Sequence, residues 1–187
     1  MRIWDRLAAD RVDHFVAISK TVQRRIARYY RRRSVIIYPP VDTERFDVTS
    51  GQVDDFYLVV SRLVPYKRVD LAVEAFGRLG RPLVVVGDGR DRAVLEAMAG
   101  ASVTFTGRLP DQEVADLMGR CRALIFPGVD DFGITPVQAM ASGRPVIAYA
   151  AGGALDTVVD GLTGLFFREP TPEALAAAVE ELDTLAF

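Results

Sequence analysis

Only one cysteine, Cys121, and one histidine, His14, occur among the 187 residues. A single thiol excludes an internal disulfide framework, and the scarcity of soft ligands excludes a cysteine-rich zinc site. No uncharged run approaches the ~18–20 apolar residues that a membrane-spanning helix needs. The opening MRIWDRLAADRVDHF lacks the continuous apolar core of a secretory signal, so a cytoplasmic protein is the expectation. There is no G-x-S-x-G elbow, no H-E-x-x-H and no Walker sequence, which leaves hydrolase, zinc protease and P-loop readings without support. His14 sits in the apolar stretch HFVAI and reads as a packed residue rather than a general base. No nucleophile–base pair is legible.

What is present is a globular balance: 50% of residues are apolar and 26% charged. The length suits one domain, or one domain with the edge of another. Charge is unevenly spread. Residues 1–33 hold ten Lys/Arg against Asp5, Asp10 and Asp13, a net of +7, so the remainder carries −9 to reach the total of −2. The first segment is therefore a different surface from the rest.

Residues 2–12 place Ile3, Trp4, Leu7 and Ala8 on one helix face. A short strand follows at 14–18, and Ser19 is placed to cap a helix whose stripe is Val22, Ile26 and Tyr29 or Tyr30. Another strand, 34–38, stops at Pro39-Pro40, and the polar TSGQVDD reads as a linker. From Asp55 a regular alternation begins. Strands are expected at 56–61, 82–86, 102–105, 123–126, 145–148 and 164–167. Helices are expected at 68–79, 90–99, 111–120, 134–142, 154–160 and 172–184. The strands are continuously apolar, as they are when helices cover both faces of a sheet. Six βα units predict an α/β protein built on a Rossmann-like, doubly wound parallel sheet, with ligands at the carboxyl ends of its strands.

The loops at those ends carry the chemistry. Ser61 to Lys67 (SRLVPYK) puts Arg62 and Lys67 beside a helix start, a good grip for a diphosphate, though two solvated cations would read the same. Gly87-Asp88-Gly89 lacks the third glycine of a dinucleotide fingerprint and reads as a tight turn. In Gly107-Arg108-Leu109-Pro110-Asp111, Asp111 reads as a helix cap that could instead accept hydrogen bonds from a base edge. The loop 127–135 leads through Asp130, Asp131, Phe132 and Gly133 into a helix opening at Ile134. Unpaired amides and a positive dipole end suit an anion there. Asp130 in the loop and Gln138 in the helix can face one ligand over that terminus. Dipole complementation alone would equally explain the acidic pair.

Together these stretches carry a resemblance. SRLVPYKRVD, VVVGDG, FTGRLPDQEV and FPGVDDFGITPVQAMASGRPVIAYAAGGALDTV, in this order over residues 56–184, resemble the C-terminal, donor-binding domain of family-four retaining glycosyltransferases of the GT-B fold. The leader VDHFVAISKTVQRRIARYYRRRSVIIYPPVDTERF is similar to the last N-domain elements and interdomain crossover of the same proteins. YPPVDTERF with DFGITPVQA is most similar to mannosyltransferases that use GDP-mannose in polysaccharide assembly. The resemblance implies residues 1–50 as the end of an N-terminal domain and residues 51–187 as a donor domain lacking its final crossover helix.

It also implies roles. Arg62 and Lys67 would hold the diphosphate and stabilise the leaving nucleotide. The amides of Gly133, Ile134 and Thr135 would cradle a phosphate, and Gly107, Arg108 and Leu109 would line the base pocket with Asp111 as an acceptor for guanine. The family's E-x7-E pair falls on Asp130 and Gln138, so both carboxylates are altered; Asp131 is the alternative to the shorter Asp130. No metal or other cofactor is implied beyond the nucleotide-sugar substrate. The implied partner is the absent N-terminal domain, without which the chain would bind nucleotide and transfer nothing. A non-catalytic binding module of the same fold stays open as the alternative. Residues 20–33 could meet an anionic membrane surface. Nucleic acid is not expected, because no aromatic stacking platform accompanies the charge.

Overall fold

The structure, a computed structural model, describes residues 3–46 and 53–185. The expected boundary at 50/51 and most of the linker lie outside the described residues.

The basic leader folds as α1 (Ile3–Ala9), β1 (Phe15–Ala17), α2 (Lys20–Tyr30) and β2 (Ser34–Ile36). β1 and β2 pair in parallel, with Val16 opposite Val35. Ser19 caps α2 as expected, its hydroxyl accepting from the Val22 amide at 3.1 Å. Ile26 is the buried residue of α2, whereas Ile3, Trp4 and Leu7 of α1 are exposed. His14 is exposed immediately before β1, so the packed-residue expectation for it fails.

The rest alternates strand and helix: β3 (Tyr57–Val60), a 3₁₀ turn at Pro65–Lys67, α3 (Val69–Leu79), β4 (Leu83–Val86), α4 (Arg92–Met98) and β5 (Val103–Gly107). Then come α5 (Asp111–Arg120), β6 (Leu124–Phe126), α6 (Ile134–Ala141), β7 (Val146–Tyr149), α7 (Ala154–Thr157), β8 (Gly164–Phe167) and α8 (Pro172–Leu182). The six strands form one parallel sheet in the order β5-β4-β3-β6-β7-β8. The chain winds outward from β3 in one direction, returns to β6 beside it, and winds outward in the other. That reversal between β3 and β6 is where a doubly wound sheet opens a crevice.

Period-two alternation within each strand sorts side chains to two covered faces. Tyr57, Val59, Val85, Ile125 and Ile147 pack with Phe76 of α3 and Leu175 and Val179 of α8. Leu58, Leu124, Val146 and Ala148 pack with Met118 and Cys121, Ala139 of α6 and Ala154 of α7. Both faces being apolar explains the continuous hydrophobic runs. Burial pushes the Cys121 thiol up to about 12 against the opposing field of Arg144, which leaves it a packing residue. α7 stops three residues short of its expected end. Val158 turns to extended backbone, and the Asp160 side chain accepts from the Phe166 amide instead of continuing the helix.

Candidate nucleotide-sugar cleft

The sheet's carboxyl edge places four loops around the β3/β6 crevice. A cleft of about 640 Å³ opens there, with Arg62, Tyr66 and Lys67 on one side and Arg108, Leu109 and Asp111 on another. Thr135 and Gln138 of α6 complete the wall. The fit between loops is close. Gly87 has φ +130°, and a Cβ there would stand 1.9 Å from the Ser61 carbonyl oxygen, so only glycine lets the β4 loop lie against the β3 loop. This supports the tight-turn reading of Gly87-Asp88-Gly89, and Gly87 and Asp88 also line the cleft.

The cations differ in their partners. Lys67 donates from Nζ to both carboxylate oxygens of Asp130, at 2.7 and 2.5 Å. Arg62 and Arg108 are exposed and have no acidic partner among the described residues. Such arginines at the crevice, beside the first turn of α6, form an anion-receptive surface. Gly133 starts α6 in the left-handed region, at φ +88°, with its Cα face packed under the Phe126 ring. No side chain caps that terminus. Val60, Val86, Leu109 and Val114 with Phe46 form an apolar cluster that also lines the cleft. A charged end and an apolar end suit a ligand with phosphates and a planar base.

The sequence profile of the family described as "Glycosyl transferases group 1" matches residues 40–184. The chain belongs to this family. It is 28% identical over 187 aligned residues to an uncharacterised glycosyltransferase of Methanocaldococcus jannaschii, covering 97% of this chain and 52% of that protein. It is 40% identical over 125 residues to a GDP-mannose-dependent alpha-mannosyltransferase of Mycolicibacterium smegmatis, covering 66% of this chain and 33% of the relative. The human alpha-1,3/1,6-mannosyltransferase is 30% identical over 179 residues, with 78% of this chain and 43% of that protein covered. The chain thus spans about half or less of these relatives' length. Its fold matches the sucrose-phosphate synthase of Thermosynechococcus elongatus with a TM-score of 0.85 at 20% identity, covering 96% of this chain and 51% of that one. An Anabaena protein solved with UDP and glucose matches with a TM-score of 0.81 at 21% identity, covering 95% and 54%. These are GT-B glycosyltransferases, and the expected fold and family both hold.

Within this group 1 glycosyltransferase the site residues divide. Arg62, Lys67, Arg108, Leu109, Asp111, Thr135 and Gln138 meet at the cleft. Gly107 is buried and contributes its carbonyl, which accepts from the Gly87 amide at 2.8 Å. The Asp130 carboxylate is engaged by Lys67 Nζ, while Gln138 stands on the cleft wall. Asp131 pairs with Arg25 of α2, both side chains half exposed. Phe132 is buried against the Tyr38 ring at 5.7 Å, and Ile134 is exposed.

Asp111 also corrects the capping expectation. Pro110 holds the cap position, Asp111 is the first helical residue, and its carboxylate accepts from Arg45 at 3.3 Å. Arg45 bridges onward to Asp42 at 3.1 Å. The segment 42–46 therefore folds back as a wall of the cleft, a role sequence reasoning missed. Its one signal was Phe46, a large apolar residue in an otherwise polar crossover.

Proposed function

We propose that the chain is the donor-binding part of a metal-independent retaining glycosyltransferase that transfers a mannosyl group from GDP-mannose to a glycan or lipid-linked acceptor. The observation that carries the reading is the convergence of Arg62, Lys67 and the uncapped start of α6 on the crevice between β3 and β6. In this reading Arg62 grips the donor diphosphate bidentately, and Lys67 adds a mobile charge. Both neutralise charge as the nucleoside diphosphate departs, from loop backbones held in place by close packing. The amides of Gly133–Thr135 face a phosphate, the Leu109 side of the cleft takes the base, and Gln138 takes the ribose hydroxyls. Mannose and guanine are favoured by the names of relatives, one of which is a GDP-mannose-dependent enzyme at 40% identity.

Residues 1–50 belong in this reading to an N-terminal acceptor domain and its crossover, and residues 51–187 to the donor domain. The separate two-stranded sheet β1-β2 favours that division. The chain by itself then binds nucleotide and transfers nothing. No helix among the described residues is long and apolar enough to cross a membrane. A cytoplasmic protein that meets the membrane peripherally through residues 20–33 fits the exposed Arg24, Arg31 and Arg33, which have no acidic partner among the described residues.

Calorimetry with GDP, UDP and ADP tests the assignment. GDP binds the wild type most tightly, and Arg62→Ala/Lys67→Ala weakens all three. Unchanged binding by the double variant refutes the site.

A further inference from the structure

Lys67 is the one cleft-lining lysine among the described residues, and it is engaged by a carboxylate of this chain. Its Nζ contacts both oxygens of Asp130, and each side chain keeps less than a fifth of its surface exposed. A carboxylate that offers two oxygens to one ammonium group presents what a phosphate would. The aromatic faces of Tyr66 and Phe126, 5.4 and 6.0 Å from Nζ, complete the surroundings of the cation.

The backbones on both sides are fixed. A Cβ on Gly128 would lie 2.7 Å from the Cα of Lys67. The Asp130 carbonyl accepts from the Gly153 amide at 2.8 Å, and a Cβ on Gly152 would come 2.4 Å from that oxygen. Only the side chains are free to change partner, and the four-carbon stem of Lys67 has much the longer reach. Arg62 and Arg108, by contrast, have no acidic partner among the described residues.

We propose that Asp130 holds the place of the donor diphosphate on Lys67 and competes with it. The proposal rests on the reading of the cleft as a nucleotide-sugar site and adds a consequence to it. Donor binding exchanges the carboxylate for phosphate oxygens on the same ammonium group. After transfer, the return of Asp130 to Lys67 displaces the nucleoside diphosphate. The pair sets a ceiling on nucleotide affinity and favours release of product over retention.

The test is a double-mutant cycle in the full 187-residue chain, with GDP and inorganic pyrophosphate as probes. Asp130→Asn keeps the shape and removes the charge. It tightens both probes by about tenfold, the scale of a partly screened ion pair. In a Lys67→Ala background the same substitution leaves affinity within about twofold, because the competition acts through Lys67. Ligand-induced thermal stabilisation gives a second readout and is larger for Asp130→Asn than for wild type. Unchanged or weaker binding by Asp130→Asn overturns the proposal, and so does equal tightening with and without Lys67, which would reveal only a general repulsive field. If Arg62→Ala weakens binding while Asp130→Asn has no effect, the competition fails and the donor site stands. If no variant, nor the wild type, binds either probe, the site reading fails with it.

Discussion

Replacing Asp183 by Asn strikes the polar cluster that ties the end of α8 to the amino-terminal edge of the sheet. Asp183 accepts from the Tyr57 hydroxyl at 3.0 Å and from Arg122 at 2.8 Å, and it pairs with Arg81. Tyr57 is fully buried and packs on Phe76 at 4.9 Å between ring centroids. Asn retains one acceptor, so the loss is that of the charge and part of the hydrogen bonding. With the carboxylate 20% exposed, a cost of about 2 kcal/mol is expected, below the range for fully buried pairs. For a chain of this size that lowers Tm by roughly 4–8 °C.

The pH dependence makes the test sharper. Burial pushes the Asp183 carboxyl up, but the hydrogen bonds from Tyr57 and Arg81 and the nearby positive charge outweigh it and hold the group below its ordinary range. A depressed carboxyl contributes stability that is fully present above the unfolded value, near pH ~4, and is lost as pH falls through the folded value. The Tm difference between wild type and Asp183→Asn is therefore widest near neutrality and shrinks below about pH 4. Melts followed by circular dichroism across this range measure it. A difference that stays constant down to the lowest pH at which the chain folds would refute the reasoning.

Two other outcomes follow from the cleft and the basic helix. Gln138→Glu restores a charged acceptor on the cleft wall; the gap between charged and neutral hydrogen bonds, about 1 kcal/mol, tightens GDP roughly five-fold. Pyrophosphate, which has no ribose, gains nothing, and an equal gain for it in calorimetry would remove Gln138 from the ribose site. Vesicles rich in anionic lipid co-sediment the chain and neutral vesicles do not, with about 1 kcal/mol from each arginine near the surface. Sedimentation independent of anionic lipid would exclude the membrane contact.

The sheet was legible because its evidence is local. Runs such as Leu83–Val86 and Val146–Tyr149 are apolar on both faces, and glycine or proline marks their ends, so strand positions and their parallel class could be read directly. The loop bearing Arg62 and Lys67 and the helix start before Gln138 followed from the same pattern, since a doubly wound sheet fixes which ends carry ligands. Side-chain partners were not legible. Asp130, Asp131 and Asp111 look alike in sequence, yet one pairs with Lys67, one with Arg25 and one with Arg45. Those choices depend on residues 63 to 106 positions away along the chain. Local spacing holds no record of them. The exposed α1 face makes a related point: periodicity reports which residues are apolar, not whether anything packs against them.

The basic helix also grips the loops from outside. The Lys20 amide donates to Asp156, the Thr21 hydroxyl to the Gly152 carbonyl, and Arg25 to Asp131, while Tyr38 lies on Phe132. The contacts to Gly152, Asp131 and Phe132 converge on the two loops that hold the backbone of Asp130, and the one to Asp156 reaches α7 just beyond them. A chimera joined after residue 50 would therefore strip the acidic loop of its brace while leaving every proposed ligand-binding side chain of the donor domain in place. If the cleft is the donor site proposed above, exchanging its specificity has to carry the segment from Ser19 to Phe46 along with the sheet, because that segment braces the acidic loop.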